Sequence, residues 1–127
     1  MKYRIKKTSR PLLTYVLGIG LAIAKRIIQE GHSAIVLARS TKALTEFQNE
    51  CPKQVRILPG DMSDFSFTQS AVDLALRDFG QLDGLIINHG TMGQIDRIED
   101  CDLDGWKKVF DVNFFSAVAF VSDLRPS

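Results

Sequence analysis

Cysteine is scarce: Cys51 and Cys101 are the two in the sequence, and they stand far apart. Neither belongs to a Cys-x-x-Cys pair or shares ligand spacing with a histidine. That excludes a disulfide framework and a zinc site, so no metal is expected and a reducing, cytoplasmic compartment is. A charge excess is also lacking. Lys and Arg number 16 against 15 Asp and Glu, which removes the case for a nucleic-acid partner, since such binders carry a basic excess or patch. No apolar run approaches the roughly 20 residues that a bilayer-spanning helix needs, so no membrane segment is expected. Repeats, low-complexity tracts and Pro/Gly-rich linkers are missing too, and 127 residues suit one domain.

What the chain does have is alternation. Short apolar runs rich in β-branched residues read as buried strands at Leu12 to Val16, Ala34 to Ala38, Val55 to Leu58 and Gly84 to Ile87. Amphipathic stretches follow each of them. Ile19, Ile23 and Ile27 mark the first helix, Leu44 and Phe47 the second, and Val72, Leu76 and Phe79 the third. The last helix is expected from about Asp102 to Leu124, with Trp106, Val109, Phe110, Phe114, Val118 and Val121 as its apolar positions. Strands alternating with helices imply parallel strands joined by right-handed crossovers. Apolar runs without polar alternation suit strands covered on both faces.

The start of the chain has its own bias. Lys2, Arg4, Lys6, Lys7 and Arg10 are basic and no acid falls among them. Residues 1–11 therefore read as a basic extension before a domain over 12–127. A basic head followed by Leu12 to Ala24, ending Ala22-Ile23-Ala24, also fits a secretory leader with a small-residue cleavage site. Against that, the helical pattern runs past Ala24 without a break.

Chemistry is concentrated where the expected strands end. Leu17-Gly18-Ile19-Gly20 lies where the first strand meets its helix, and a glycine turn there lets backbone N–H groups approach a pyrophosphate. The second strand ends at Arg39, 19 positions after Gly20. An acid there would bond a ribose 2′-hydroxyl, whereas arginine favours a 2′-phosphate; the plain alternative, a minority reading, is that Arg39 is a solvated charge at a strand end. Asp61-Met62-Ser63-Asp64 follows the third strand. Its acids can cap the next helix, accept from an adenine amino group, or do both. Asn88-His89-Gly90 follows the fourth, where glycine permits close backbone approach. His89 reads as a turn residue, with no Asp or Ser evident to make it part of a triad.

The series Gly18-Ile19-Gly20, Ala38-Arg39-Ser40, Asp61-Met62-Ser63-Asp64, Asn88-His89-Gly90 and Trp106…Phe110-Asp111-Val112-Asn113 resembles the short-chain dehydrogenase/reductase family across about Leu12 to Leu124. The run Val109 to Val121 is most similar to fungal members of a sepiapterin/benzil-reductase-like branch. The resemblance implies a Rossmann-like, doubly wound α/β fold with a parallel sheet, truncated after about four strands and four helices. It implies NADP-dependent carbonyl reduction or alcohol oxidation on a small-molecule substrate. Gly18, Ile19 and Gly20 would line the pyrophosphate turn, and Arg39 and Ser40 would meet the 2′-phosphate of NADP. Asp61 and Met62 would hold the adenine, and Asn88 and Gly90 would flank the cofactor. Asn113 would be the catalytic-site asparagine that holds a water beside the family's lysine; its plain alternative is a polar interruption of an apolar helix. The last helix would pair with another subunit.

Two departures from the family stand out. The family's turn is Thr-Gly-x-x-x-Gly-x-Gly, and here Thr14 takes the place of its first glycine while Tyr15 and Val16 replace small residues. His89 likewise replaces an alanine. The family's catalytic serine and Tyr-x-x-x-Lys would follow Ser127. Tyr3 and Lys7 do spell Tyr-x-x-x-Lys, but they precede the first strand and read as coincidence. Three readings result: a truncated oxidoreductase inactive as it stands, a non-catalytic dinucleotide-binding or dimerisation module, and the product of a mis-assembled gene.

Overall fold

A computed structural model describes residues 11–15 and 19–124. It contains β1 (Pro11–Tyr15), α1 (Ile19–Gln29), β2 (Ser33–Ala38), α2 (Thr41–Glu50), β3 (Val55–Pro59), α3 (Ser66–Phe79) and β4 (Gly84–Ile86). A 3₁₀ turn at Ile98–Asp100 then leads to α4 (Leu103–Phe110), a π turn (Asp111–Phe115) and α5 (Ser116–Asp123). The four expected strands are present, with ends shifted by at most one residue. Pro11 opens β1 and Pro59 closes the edge strand β3. Both are places where a missing N–H does little harm to a ladder.

All pairings are parallel, and the strand order is β3-β2-β1-β4. The chain steps outward from β1 to β3 and then returns to the other side of β1. That reversal puts a topological switch point between β1 and β4, where open α/β sheets leave a crevice at the carboxyl ends of their strands.

β2 is buried throughout, and its alternating side chains build two cores. Ala34, Val36 and Ala38 pack with Ala24 and Ile28 of α1 and Leu44 and Phe47 of α2. Ile35 and Leu37 pack on the other side with Phe67, Ala71 and Ala75 of α3 and Phe120 of α5. The sheet is thus covered on both faces, as its unbroken apolar runs require. Arg56 of β3 joins Asp78 of α3 at 2.7 Å, and its guanidinium lies 5.3 Å from the centre of the Phe79 ring. The Thr68 hydroxyl bonds the Asp123 carboxylate, tying α3 to α5.

Three helices differ from the expected pattern. In α3 Val72 is buried and Phe79 packs against the core, but Leu76 is exposed. In α1 the buried stripe is Gly20, Ala24 and Ile28, while Ile19 is exposed. Gly20 and Ala24 add little bulk, so the helix can lie close to the strands there. The helix runs without a break through Ala24 to Gln29. The last helix is broken into three parts by its π turn. A π turn inserts a residue into the α-helical register, so the 3.6-residue phase before Asp111 does not carry over beyond Phe115. Ser116 and Phe120 face the core instead of the expected Phe114, Val118 and Val121, which are exposed. Among the described residues no helix is long and apolar enough to cross a membrane.

This phase assignment makes a direct prediction. Phe120, 1% exposed, and Phe110, 53% exposed, should respond differently to truncation. Phe120→Ala should cost about 3–5 kcal/mol in urea unfolding, and Phe110→Ala should stay within about 0.5 kcal/mol. Equal losses would contradict the observed phase.

Candidate functional site

The crevice expected at the switch point is present as a cleft of about 600 Å³, within the 300–1,000 Å³ usual for small-molecule and cofactor sites. Its walls come from three strand ends and one helix. Arg39 follows β2, Asp61 and Met62 follow β3, and residues 87–94 follow β4. Gly105, Lys108, Val109 and Val112 recur at three- and four-residue spacing, so one face of α4 and its π turn closes the far side.

The β4 loop is fastened to that helix by two side chains. The Asn113 amide bonds the Thr91 backbone in both directions: Oδ1 accepts from the Thr91 N–H at 2.7 Å, and Nδ2 donates to the Thr91 carbonyl at 2.8 Å. The His89 ring Nε2 lies 2.8 Å from the Val112 carbonyl oxygen and 2.6 Å from Ser116 Oγ. A carbonyl can only accept, so Nε2 carries the proton. The Ser116 hydroxyl donates to the same carbonyl at 2.6 Å and offers its lone pairs to His89. The serine missing from the sequence reading is therefore present beside the histidine, but it is fully buried and turned to the helix backbone. That is a structural bond, with no exposed nucleophile.

Close approach explains one of the loop's glycines. A Cβ at Gly90 would make near-ordinary contact with Asn113 Oδ1, at 3.4 Å. Gly93 has φ +67°, and a Cβ there would come within 2.4 Å of Val109 Cγ2.

The Asp61 carboxylate accepts from both the backbone N–H and the hydroxyl of Ser63, at 2.9 and 2.8 Å. The Ser63 N–H, then its hydroxyl, hold the acid below the usual carboxylate range; burial opposes them, and Lys108 and Arg39 add smaller attractions. Asp64, just before α3, accepts from the Ser66 N–H at 3.1 Å. Burial pushes the His89 imidazole below its ordinary value, against the opposing bond to Val112.

Of the residues expected to hold a cofactor, the cleft gathers Arg39, Asp61, Met62, Asn88 and Gly90. Met62 is also a core residue, 2% exposed, so it forms the cleft's floor. Asn113 stands behind the wall, holding Thr91. Ser40 precedes α2 with no capping bond from its side chain. Ile19 and Gly20 open α1 but do not line the cleft. Gly18 lies outside the described residues, as do Tyr3 and Lys7. The ladder pairs Thr14 with Val36 and Tyr15 with Leu37, so two positions that the family pattern gives to the turn belong to β1. Of the wall residues outside the expected set, His89 and Lys108 carry ionisable side chains. His89 was passed over as a turn residue. Lys108 lies beside Lys107 in sequence, and only the helix phase distinguishes them.

The family model for short chain dehydrogenases matches residues 15–127. An uncharacterized oxidoreductase of Schizosaccharomyces pombe is 35% identical over 110 residues, covering 86% of this chain and 43% of the relative. The benzil reductase ((S)-benzoin forming) of Saccharomyces cerevisiae is 35% identical over 118 residues, covering 86% and 44%. A crystal structure of a Saccharomyces cerevisiae short-chain dehydrogenase/reductase superposes with a TM-score of 0.85 at 25% identity, covering 91% of this chain and 47% of that one. The chain thus spans less than half the length of these relatives.

The His89 bond carries a pH signature. The unfolded chain takes a proton at histidine near pH 6.5, whereas the folded site resists it. The stabilisation is therefore fully present above about pH 6.5 and is lost as pH falls through and below that value. Urea unfolding at about pH 7.5 and about pH 5.5 should show the wild type losing more stability than His89→Gln. Parallel losses in the two proteins would exclude this role.

Proposed function

Given that the chain belongs to the short-chain dehydrogenase/reductase family, we propose that these 127 residues hold the dinucleotide of an NAD(P)-dependent oxidoreductase and prefer NADP. One observation carries the reading: Arg39, Asp61, Met62, Asn88 and Gly90, from three strand ends, line one cleft at the switch point. The groups fit the cofactor by chemistry. Asp61 presents a carboxylate acceptor to an adenine amino group. Arg39 presents a guanidinium where an acid would otherwise bond the ribose, which favours a 2′-phosphate. Asn88 and Gly90 sit on a loop that Asn113 and His89 keep in place, so Asn113 acts here as a positioning residue.

The bound cofactor would supply a hydride. The proton for a carbonyl oxygen needs a tuned acid such as tyrosine, and the chain's tyrosines are Tyr3 and Tyr15 alone. The proposal therefore assigns binding to these residues and no turnover. Small carbonyl compounds, including diketones of the benzil kind, are the proposed substrate class for the complete catalytic unit. A cytoplasmic setting accords with the free thiols Cys51 and Cys101.

A second reading rests on a separate observation. Leu103, Trp106, Phe110 and Phe115 wall an apolar groove on α4 and the π turn, and all four are exposed. An apolar surface of that kind marks an association site, here with another copy of the chain.

Fluorescence titration of the purified chain should show NADPH binding more tightly than NADH, and Arg39→Ala should remove about tenfold of the NADPH affinity with little change for NADH. A panel of ketones and diketones should give no NADPH oxidation above background. Turnover would overturn the assignment of binding without catalysis. Binding of neither dinucleotide, with a dimer mass in sedimentation, would replace the first reading by the second.

A further inference from the structure

Some of the described cations have acids beside them. Arg26 pairs with Glu30, Arg56 and Arg77 with Asp78, Arg97 with Glu99, and Lys107 with Asp104. Lys25, Arg39, Lys42, Lys53 and Lys108 do not, and of these Arg39 and Lys108 are the ones at the cleft. Both line the cleft, from opposite walls, and neither takes part in a salt bridge or hydrogen bond among the described residues. Asp61 lies between the β2 end and α4, close enough for both to lower its carboxyl through space. Its Oδ1 is already engaged by the N–H and hydroxyl of Ser63.

The charge balance then matters. Arg39 and Asp61 alone would roughly cancel, and a doubly charged phosphate beside them would meet an acid as well as a guanidinium. Lys108 turns that pair into a net positive pocket. Its position follows from the helix: Gly105, Lys108, Val109 and Val112 form the stripe that faces the cleft, while Lys107 on the neighbouring face is 3.7 Å from Asp104. A flexible lysine suits this place, because it approaches a phosphate as a mobile point charge while Arg39 offers a fixed fork.

We propose that Lys108, reaching across the cleft from α4, is a second determinant of NADP specificity and pairs with Arg39 on the 2′-phosphate. The proposal rests on the dinucleotide reading above and adds one residue to it. It predicts that discrimination between the phosphorylated and unphosphorylated cofactor needs both walls of the cleft, so a change on α4 alters it without touching the β2 end.

The test titrates wild type, Lys108→Met and Lys108→Arg with NADPH, NADH, 2′,5′-ADP and 5′-AMP, with circular dichroism as the folding control. Lys108 is exposed, so Lys108→Met should keep the fold. It should weaken NADPH and 2′,5′-ADP about tenfold and leave NADH and 5′-AMP unchanged, with Lys108→Arg restoring most of the loss. Unchanged NADPH affinity in Lys108→Met, or equal weakening of NADPH and NADH, overturns the role of Lys108 while the dinucleotide reading stands. Wild type that binds none of the four ligands overturns that reading, and this proposal with it.

Discussion

The return of the chain from β3 to the far side of β1 is the constraint on which the site depends. With β4 paired to β1 at Leu12–Gly84, Leu13–Leu85 and Thr14–Ile86, the strand order reverses beside β1 and leaves a crevice at the carboxyl ends of the strands. The residues that follow β2, β3 and β4 all reach that space from one edge of the sheet. Arg39, Asp61 and Asn88 are distant in sequence, yet the parallel ladder brings their strand ends together. Packing then holds the frame: β2 is buried on both faces, so neither helical layer can shift without disturbing its cores.

The second element is the π turn. It places Val112, Asn113 and Ser116 where the β4 loop can bond to them, through His89 and Thr91. One inserted residue also turns Phe120 inward and leaves Phe114, Val118 and Val121 outward. A π turn inside a helix is often found where a functional site needs an irregular backbone, and here it joins the wall of the cleft to its loop.

Much of this was legible in the sequence, because the signals involved are local. Strands announced themselves by β-branched apolar runs, and the strand ends by Arg39, Asp61 and Asn88. What the sequence concealed depends on phase and on distance. A π turn leaves no reliable mark in an apolar periodicity, so the core-facing residues of the last helix were misplaced. The buried stripe of α1 runs through Gly20 and Ala24, whose small side chains give a weak hydrophobic signal beside Ile19 and Ile23. His89 and Lys108 gain meaning only from partners 23 or more positions away or from the helix face they occupy. Thr14 and Tyr15 were visible as departures from the family's turn, and the ladder shows them as part of β1.

The central claim is that the cleft at the switch point is a dinucleotide site. Amide chemical-shift mapping of the isotopically labelled chain on addition of NADPH tests it most directly. The account predicts saturable shifts at Arg39, Asp61, Asn88, Gly90 and Lys108, with the α2 surface unmoved. Shifts confined to the apolar groove of Leu103, Trp106 and Phe110, or none at all, would contradict it.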